Sequence, residues 1–154
     1  MNRLGRFSVR FLASGFFSGH IPFAPGTCGT LVAIPLYLLL VNSLQGWLYA
    51  GAVIALTLAA VWISDLAETS YGRKDPPQVV IDEIAGFLLT MTAIPPDALY
   101  IVIGFILFRV FDILKPQPAG WIYERMRGGS GIVLDDVIAG LYANIVLQFF
   151  HRVL

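Results

Sequence analysis

The sequence predicts an all-α fold: a polytopic membrane bundle of about five hydrophobic helices, some short or only partially spanning. Three observations carry that reading. Of 154 residues, 57% are hydrophobic and only 13% charged, and the mean hydropathy is +0.76, outside the usual range of a soluble domain. The apolar residues gather into five runs, at 29–41, 47–63, 84–94, 98–114 and 137–150. The Lys and Arg side chains concentrate in alternate connections. A chain of this length is read as a single domain, residues 1–154.

At the N-terminus, Arg3, Arg6 and Arg10 precede an apolar stretch in the manner of a signal peptide. The following Ser18-Gly19-His20-Ile21-Pro22 offers no small-residue cleavage site, so the segment is expected to be retained. Pro25-Gly26-Thr27-Cys28-Gly29-Thr30 then reads as a loop ahead of the first helix, able to turn N–H groups toward a phosphate. The alternative is an ordinary turn with Thr30 as N-cap. Helices rise about 1.5 Å per residue and the hydrocarbon core is about 30 Å thick, so roughly 20 residues are needed to cross it. Runs 47–63 and 98–114 come closest, and the others need their polar flanks or span partially. Pro35 within the first run and Arg109 within the fourth point to packed helices rather than plain lipid-facing anchors.

Connections 42–46 and 95–97 contain no Lys or Arg, whereas the N-terminal arm, 65–78 and 115–131 are basic. The basic side is expected to be cytoplasmic, giving an inner N-terminus, five crossings and an outer C-terminus. That arrangement brings Asp65, Glu68, Asp75, Asp82, Glu83, Asp112, Glu124, Asp135 and Asp136 to one boundary and leaves Asp97 on the other. Two acid pairs look alike: Asp82-Glu83 with Gly86, and Asp135-Asp136 with Gly140. Each pair is expected to open a helix, with a glycine about one turn later where another backbone approaches closely.

Arg109, Asp112 and Lys115, spaced i, i+3, i+6, form one polar stripe ended by Pro116. They read either as a self-neutralising stripe or as a site for both phosphate and metal, with Arg109 gripping phosphate oxygens as a fork. Asp82, Glu83, Asp112, Asp135 and Asp136 supply more carboxylates than a hard cation such as magnesium needs. Each pair alone reads equally well as a helix cap. Gly128-Gly129-Ser130-Gly131 is either a flexible connector or a phosphate-facing loop. Glu68, with Asp65 at the end of the second helix, is a possible further site residue. His20, His151 and the three tryptophans read as interfacial, and Cys28 has no partner for a disulfide. A formal net charge of zero offers no basic face for nucleic acid.

Pro25-Gly26-Thr27 with Gly29-Thr30, Asp82-Glu83 with Gly86, Phe108-Arg109 with Phe111-Asp112 and Lys115-Pro116-x-Pro118, and Gly131-Ile132 with Asp135-Asp136 and Ala139-Gly140 recur in this order. With these motifs the chain resembles the phosphatidylglycerophosphatase A family over most of its length. The resemblance implies a magnesium-dependent, multi-pass phosphatase of the bacterial cytoplasmic membrane, acting on phosphatidylglycerophosphate at its cytoplasmic face. It implies catalytic roles for Asp82, Glu83, Asp112 and Asp136, metal ligation by these and Asp135, and phosphate contacts from Arg109, Lys115 and Thr27. Thr30 and Gly26 join the phosphate contacts through the loop reading. A divalent-cation transporter or channel is the main rival, but it predicts acids through the whole membrane depth rather than at one boundary. A lipid phosphoalcohol transferase would carry an Asp-Gly and Ala-Arg pattern absent from this sequence. The Cys-x5-Arg loop and Asp-x-Asp opening of two other phosphatase classes are absent as well.

Overall fold

The computed structural model describes residues 3–153, and every regular element in them is helical. The helices are α1 (Arg3–Ala13), α2 (Pro25–Ser43), α3 (Gly46–Tyr71), α4 (Ile81–Thr90), α5 (Ala98–Leu114), α6 (Ala119–Arg125) and α7 (Gly128–Val153), with a 3-10 turn at Ser18–His20. Four of the five apolar runs lie wholly in helices and the run 84–94 lies in one only to Thr90, so the lengths are not all as expected. α2, α3 and α7, of 19, 26 and 26 residues, are long and apolar enough to cross a membrane. The fourth run stays at 17 residues as α5. The third is cut to the 10 residues of α4, about 15 Å of helix and half a hydrocarbon core.

Polarity is arranged inside out. Trp47, Leu58, Trp62, Ile145 and Phe149 face outward, while Thr30, Ser64, Thr90, Asp82, Asp135 and Asp136 are buried. Water would not tolerate so much exposed apolar surface, and lipid would. α4 is the hub: it packs against α2, α3, α5 and α7, and Phe87, Leu88 and Met91 are wholly enclosed with Tyr37, Phe108 and Leu147. Its two helix-end problems are solved differently. At its start the acids Asp82 and Glu83 lie where the helix dipole favours negative charge.

At its end the carbonyls would be orphaned at membrane depth, and side chains of other helices satisfy them. Asn144 Nδ2 donates to Thr90 O at 2.8 Å and to Thr92 O at 2.9 Å. Gln148 Nε2 donates to Thr92 O and Ala93 O, both at 3.2 Å. Tyr49 Oη donates to Leu88 O at 2.7 Å, and Tyr37 Oη to Ile94 O at 2.9 Å. Residues 91–97 carry the chain on irregularly to Asp97, whose carboxylate caps α5 by accepting from Leu99 N.

Small residues let the helices touch backbone to backbone. A Cβ on Gly140 would lie 2.5 Å from Gly86 O, and one on Gly86 would lie 2.8 Å from Asp136 O. These are the paired glycines one turn after each acid pair. A Cβ on Gly129 would stand 1.8 Å from Val61 O, so α7 begins pressed onto α3. The Gly128–Gly131 run is therefore helical rather than a connector or loop, and α7 starts almost two turns before Asp135. Asp135 and Asp136 do not open their helix. Asp65 Oδ1 on α3 does the capping instead, accepting from Gly129 N at 3.2 Å.

α1 lies along α3 through Val9, Ala13, Ile63 and Ala67. Arg10 fixes it by donating from Nε to Ser70 Oγ at 2.9 Å and stacking over Tyr71 at 4.7 Å. Leu4, Phe7 and Leu12 remain exposed on its outer side. The N-terminal segment is thus an amphipathic helix of 11 residues, too short to span.

Candidate metal and phosphate site

Four helix termini or near-termini converge on one cavity of about 360 Å³. Its wall includes Pro25 and Gly26 from α2, Asp82 and Glu83 from α4, Arg109, Asp112 and Lys115 from the end of α5, and Asp135 and Asp136 from α7. Carboxylate oxygens of Asp82, Glu83 and Asp136 all lie within 4.8 Å of one another. Asp82 Oδ1, Glu83 Oε2 and Asp135 Oδ1 are buried with no hydrogen-bond partner. Buried like charges this close repel strongly unless a cation lies among them. Oxygen donors without protein partners are what magnesium or calcium coordinates, so the donor set fits a hard divalent ion.

The cationic groups are held by the remaining acids. Arg109 Nη1 lies 2.6 Å from Asp112 Oδ2 and 3.9 Å from Glu83 Oε1, while its Nε is buried and unpaired. Such a guanidinium retains donors for a phosphate oxygen. Lys115 ends α5 in the left-handed region, with φ 45°. That turn sends its Nζ onto Asp135 Oδ2. Burial pushes the Lys115 ammonium down, but Asp135, with Asp136 and Asp112 behind it, outweighs burial and holds it above the ordinary lysine value. The i, i+3, i+6 stripe thus reaches the site at all three positions, the third through a helix cap rather than a continuing helix.

Pro25 to Thr30 is the first turn and a half of α2, not a loop before it. Gly26 touches the site: a Cβ there would fall 2.2 Å from Glu83 Oε1 and 3.0 Å from Arg109 Nη1. Thr30 is fully buried and donates its hydroxyl to Gly26 O at 2.9 Å, so its side chain supports the turn instead of facing the cavity. Thr27 is half-buried and lies outside the cavity wall. Glu68 is also outside it, its Oε1 accepting from Asp75 N at 2.8 Å. His20 stands 3.3 Å from Tyr71 Oη, and His151 packs on Tyr100, both away from the acids.

Sequence reading missed the third wall. Arg73, Asp75, Pro77 and Val79 line the cavity from the connection between α3 and α4, and Ile132 lines it from α7. The connection is built rather than loose. Gly72 and Asp75 take φ of 68° and 45°, and Val80 N donates to Ala13 O at 2.8 Å. Its only signal in the sequence is the basic, proline-rich Arg73-Lys74-Asp75-Pro76-Pro77, which indicates orientation but not which cavity it faces.

Known proteins resemble this chain along most of its length. A family model described as Phosphatidylglycerophosphatase A matches residues 11–151. A protein of Bacteroides thetaiotaomicron, provisionally named a phosphatidylinositol-3-phosphatase, is 39% identical over 143 residues, covering 88% of this chain and 89% of its own. Proteins named Phosphatidylglycerophosphatase A from Escherichia coli (strain K12) and Haemophilus influenzae are each 36% identical over 90% of this chain, and over 80% and 86% of theirs. No solved structure matches the chain.

Proposed function

The chain belongs to the phosphatidylglycerophosphatase A family, and from that premise we propose that it hydrolyses the terminal phosphomonoester of phosphatidylglycerophosphate, leaving phosphatidylglycerol and inorganic phosphate. The observation that carries the proposal is the meeting of Asp82, Glu83 and Asp136 within 4.8 Å, beside Arg109 and Lys115 in one cavity. Asp82, Glu83 and Asp136 would hold magnesium, with Asp135 and Asp112 lining the same cavity. When bound, the ion supplies Lewis acidity to a phosphoryl oxygen. Arg109 grips the phosphate through the donors that Asp112 leaves over, and Lys115 offsets charge developing on it. Water forms the new P–O bond as the ester P–O bond breaks. The proton that water gives up passes to a carboxylate, and the departing glycerol oxygen takes one up. Gly26 keeps the wall thin enough for the phosphate to approach Arg109.

The site lies at the cytoplasmic boundary of a bacterial inner membrane, where the lipid arrives laterally. Support for that side comes from the basic connections 65–78 and 115–131, which share this end of the bundle with the acids. The described residues 3–153 act as one unit around the α4 hub.

Detergent-purified protein is expected to release phosphate from phosphatidylglycerophosphate only with magnesium, and Asp82→Asn, Asp112→Asn and Asp136→Asn are expected to abolish or sharply reduce it. Full activity in all three variants would overturn the assignment. Phosphatidylinositol 3-phosphate belongs in the same assay, because a relative's name points there; faster release from it would change the substrate while keeping the site. The stereochemistry at phosphorus of a chiral, isotopically labelled substrate separates direct attack, which inverts it, from an aspartyl-phosphate route, whose two in-line displacements retain it.

A further inference from the structure

A second cavity of about 470 Å³ adjoins the carboxylate site and is lined by Glu68, Gly72, Arg73, Lys74, Arg127 and Gly128. The two share a wall. Arg73 belongs to both walls. A narrow gap between them shares Asp75 and Ile132 with the first and Lys74 and Gly128 with the second. Arg73, Lys74 and Arg127 are exposed, and no ion pair among the described residues involves any of them. The acids nearby are already committed: Glu68 Oε1 to Asp75 N and Asp65 Oδ1 to Gly129 N. Three cations with no ion-pair partner among the described residues therefore stand beside a phosphate-handling site, Arg73 and Lys74 on the connection from α3 to α4 and Arg127 on that from α6 to α7.

We propose that Arg73, Lys74 and Arg127 form a second phosphate-binding subsite beside the carboxylate cavity. The inference rests on the phosphatase reading of that cavity. Arg offers a planar fork to phosphate oxygens and Lys a point charge, and both suit a phosphodiester or a free phosphate ion. Two sources share this chemistry. One is the phosphodiester of the same lipid, a glycerol away from the scissile monoester, and the other is the inorganic phosphate leaving for the aqueous side.

The test uses the full chain in detergent with magnesium, and the variants Arg73→Ala and the double Lys74→Ala/Arg127→Ala. Phosphatidylglycerophosphate carries both phosphates and phosphatidic acid only the monoester. If the diester is the ligand, the kcat/KM preference for the first lipid over the second falls about tenfold, as loss of one charge-assisted contact implies. If released phosphate is the ligand, that preference holds and the inhibition constant of inorganic phosphate rises by about the same factor. Arg73→Lys restores part of either effect. Variants that change neither quantity overturn the subsite. Wild-type protein that releases no phosphate from either lipid sinks the phosphatase reading instead. Equilibrium binding of inorganic phosphate and short-chain phosphatidylglycerol then decides the subsite: weaker binding by the variants supports it, and equal binding removes it.

Discussion

Replacing Gly140 by alanine tests whether the carboxylates meet because α4 and α7 touch. The new Cβ would lie 2.5 Å from Gly86 O and 3.2 Å from Gly86 C, where ordinary contact begins at 3.4 Å. Backbone cannot swing aside as a side chain can, so the helices must part by about 1 Å at this crossing, at an overpacking cost of about 1–3 kcal/mol. Asp136 lies one turn above on α7 and Asp82 one turn above Gly86 on α4, so the parting passes directly into the 4.8 Å ligand spacing. A displacement of about 1 Å in a positioned site costs on the order of 10²-fold in rate. The assay is phosphate release by purified Gly140→Ala as a function of magnesium, alongside thermal unfolding. We expect kcat/KM to drop by about that factor and half-saturating magnesium to rise. Gly51→Ala is the control, since nothing lies within 4 Å of its Cβ position. That exposed mid-helix change should stabilise the protein by about 0.5–1 kcal/mol. A Gly140→Ala protein with wild-type rate and magnesium dependence would refute the idea that this contact sets the site.

Arg109→Lys keeps the charge and loses the fork, so kcat/KM should fall about 10- to 100-fold; a lysine that supports the full rate would deny the gripping role. Asn144→Ala strands the Thr90 carbonyl at membrane depth and should cost about 1–3 kcal/mol, read as a lower unfolding temperature in detergent; no shift would mean that another group satisfies it. Lys115→Met leaves Asp135 buried beside an apolar chain and should destabilise by about 3–5 kcal/mol at neutral pH. Because the folded-state Lys115 value lies above the ordinary 10.5, the ammonium's contribution is complete below pH 10.5 and lost as pH rises through the raised value. On the alkaline side the gap in unfolding temperature between wild type and Lys115→Met should therefore close only in that range, and a gap that closes as pH rises just past neutrality would contradict the pairing.

Much of this architecture is legible in the residues, and the parts that are not share one cause. The five apolar runs, the two acid-glycine echoes and the stripe from Arg109 to Lys115 are local patterns, and local geometry places them. The start of α7 is not local. Gly128-Gly129-Ser130-Gly131 has poor helix propensity, yet it is helical because Asp65 caps it from 64 residues away and because only glycine fits against Val61 O. The end of α4 is equally remote in origin. The run 84–94 continues apolar past Thr90, but Asn144 and Gln148 on α7 capture the carbonyls that a longer helix would have used itself. Thr30 was legible as a hydroxyl at a helix start, not as one turned inward to Gly26 O. The wall contributed by Arg73 and Asp75 depends on Glu68 and α1 holding the connection, which no spacing rule conveys.

The truncated hub also bears on how a lipid bilayer tolerates so many ionisable groups in one place. Under the acids, Phe108, Phe87, Leu88 and Met91 are packed without exposed surface, and the amide plug from α7 closes the far end. The carboxylates therefore occupy a blind cup rather than a bore. Reactant and both products therefore come and go at the acid-bearing end of the bundle, and protons exchanged during turnover return to the side they came from, so the barrier to ion leakage survives beneath a densely charged floor.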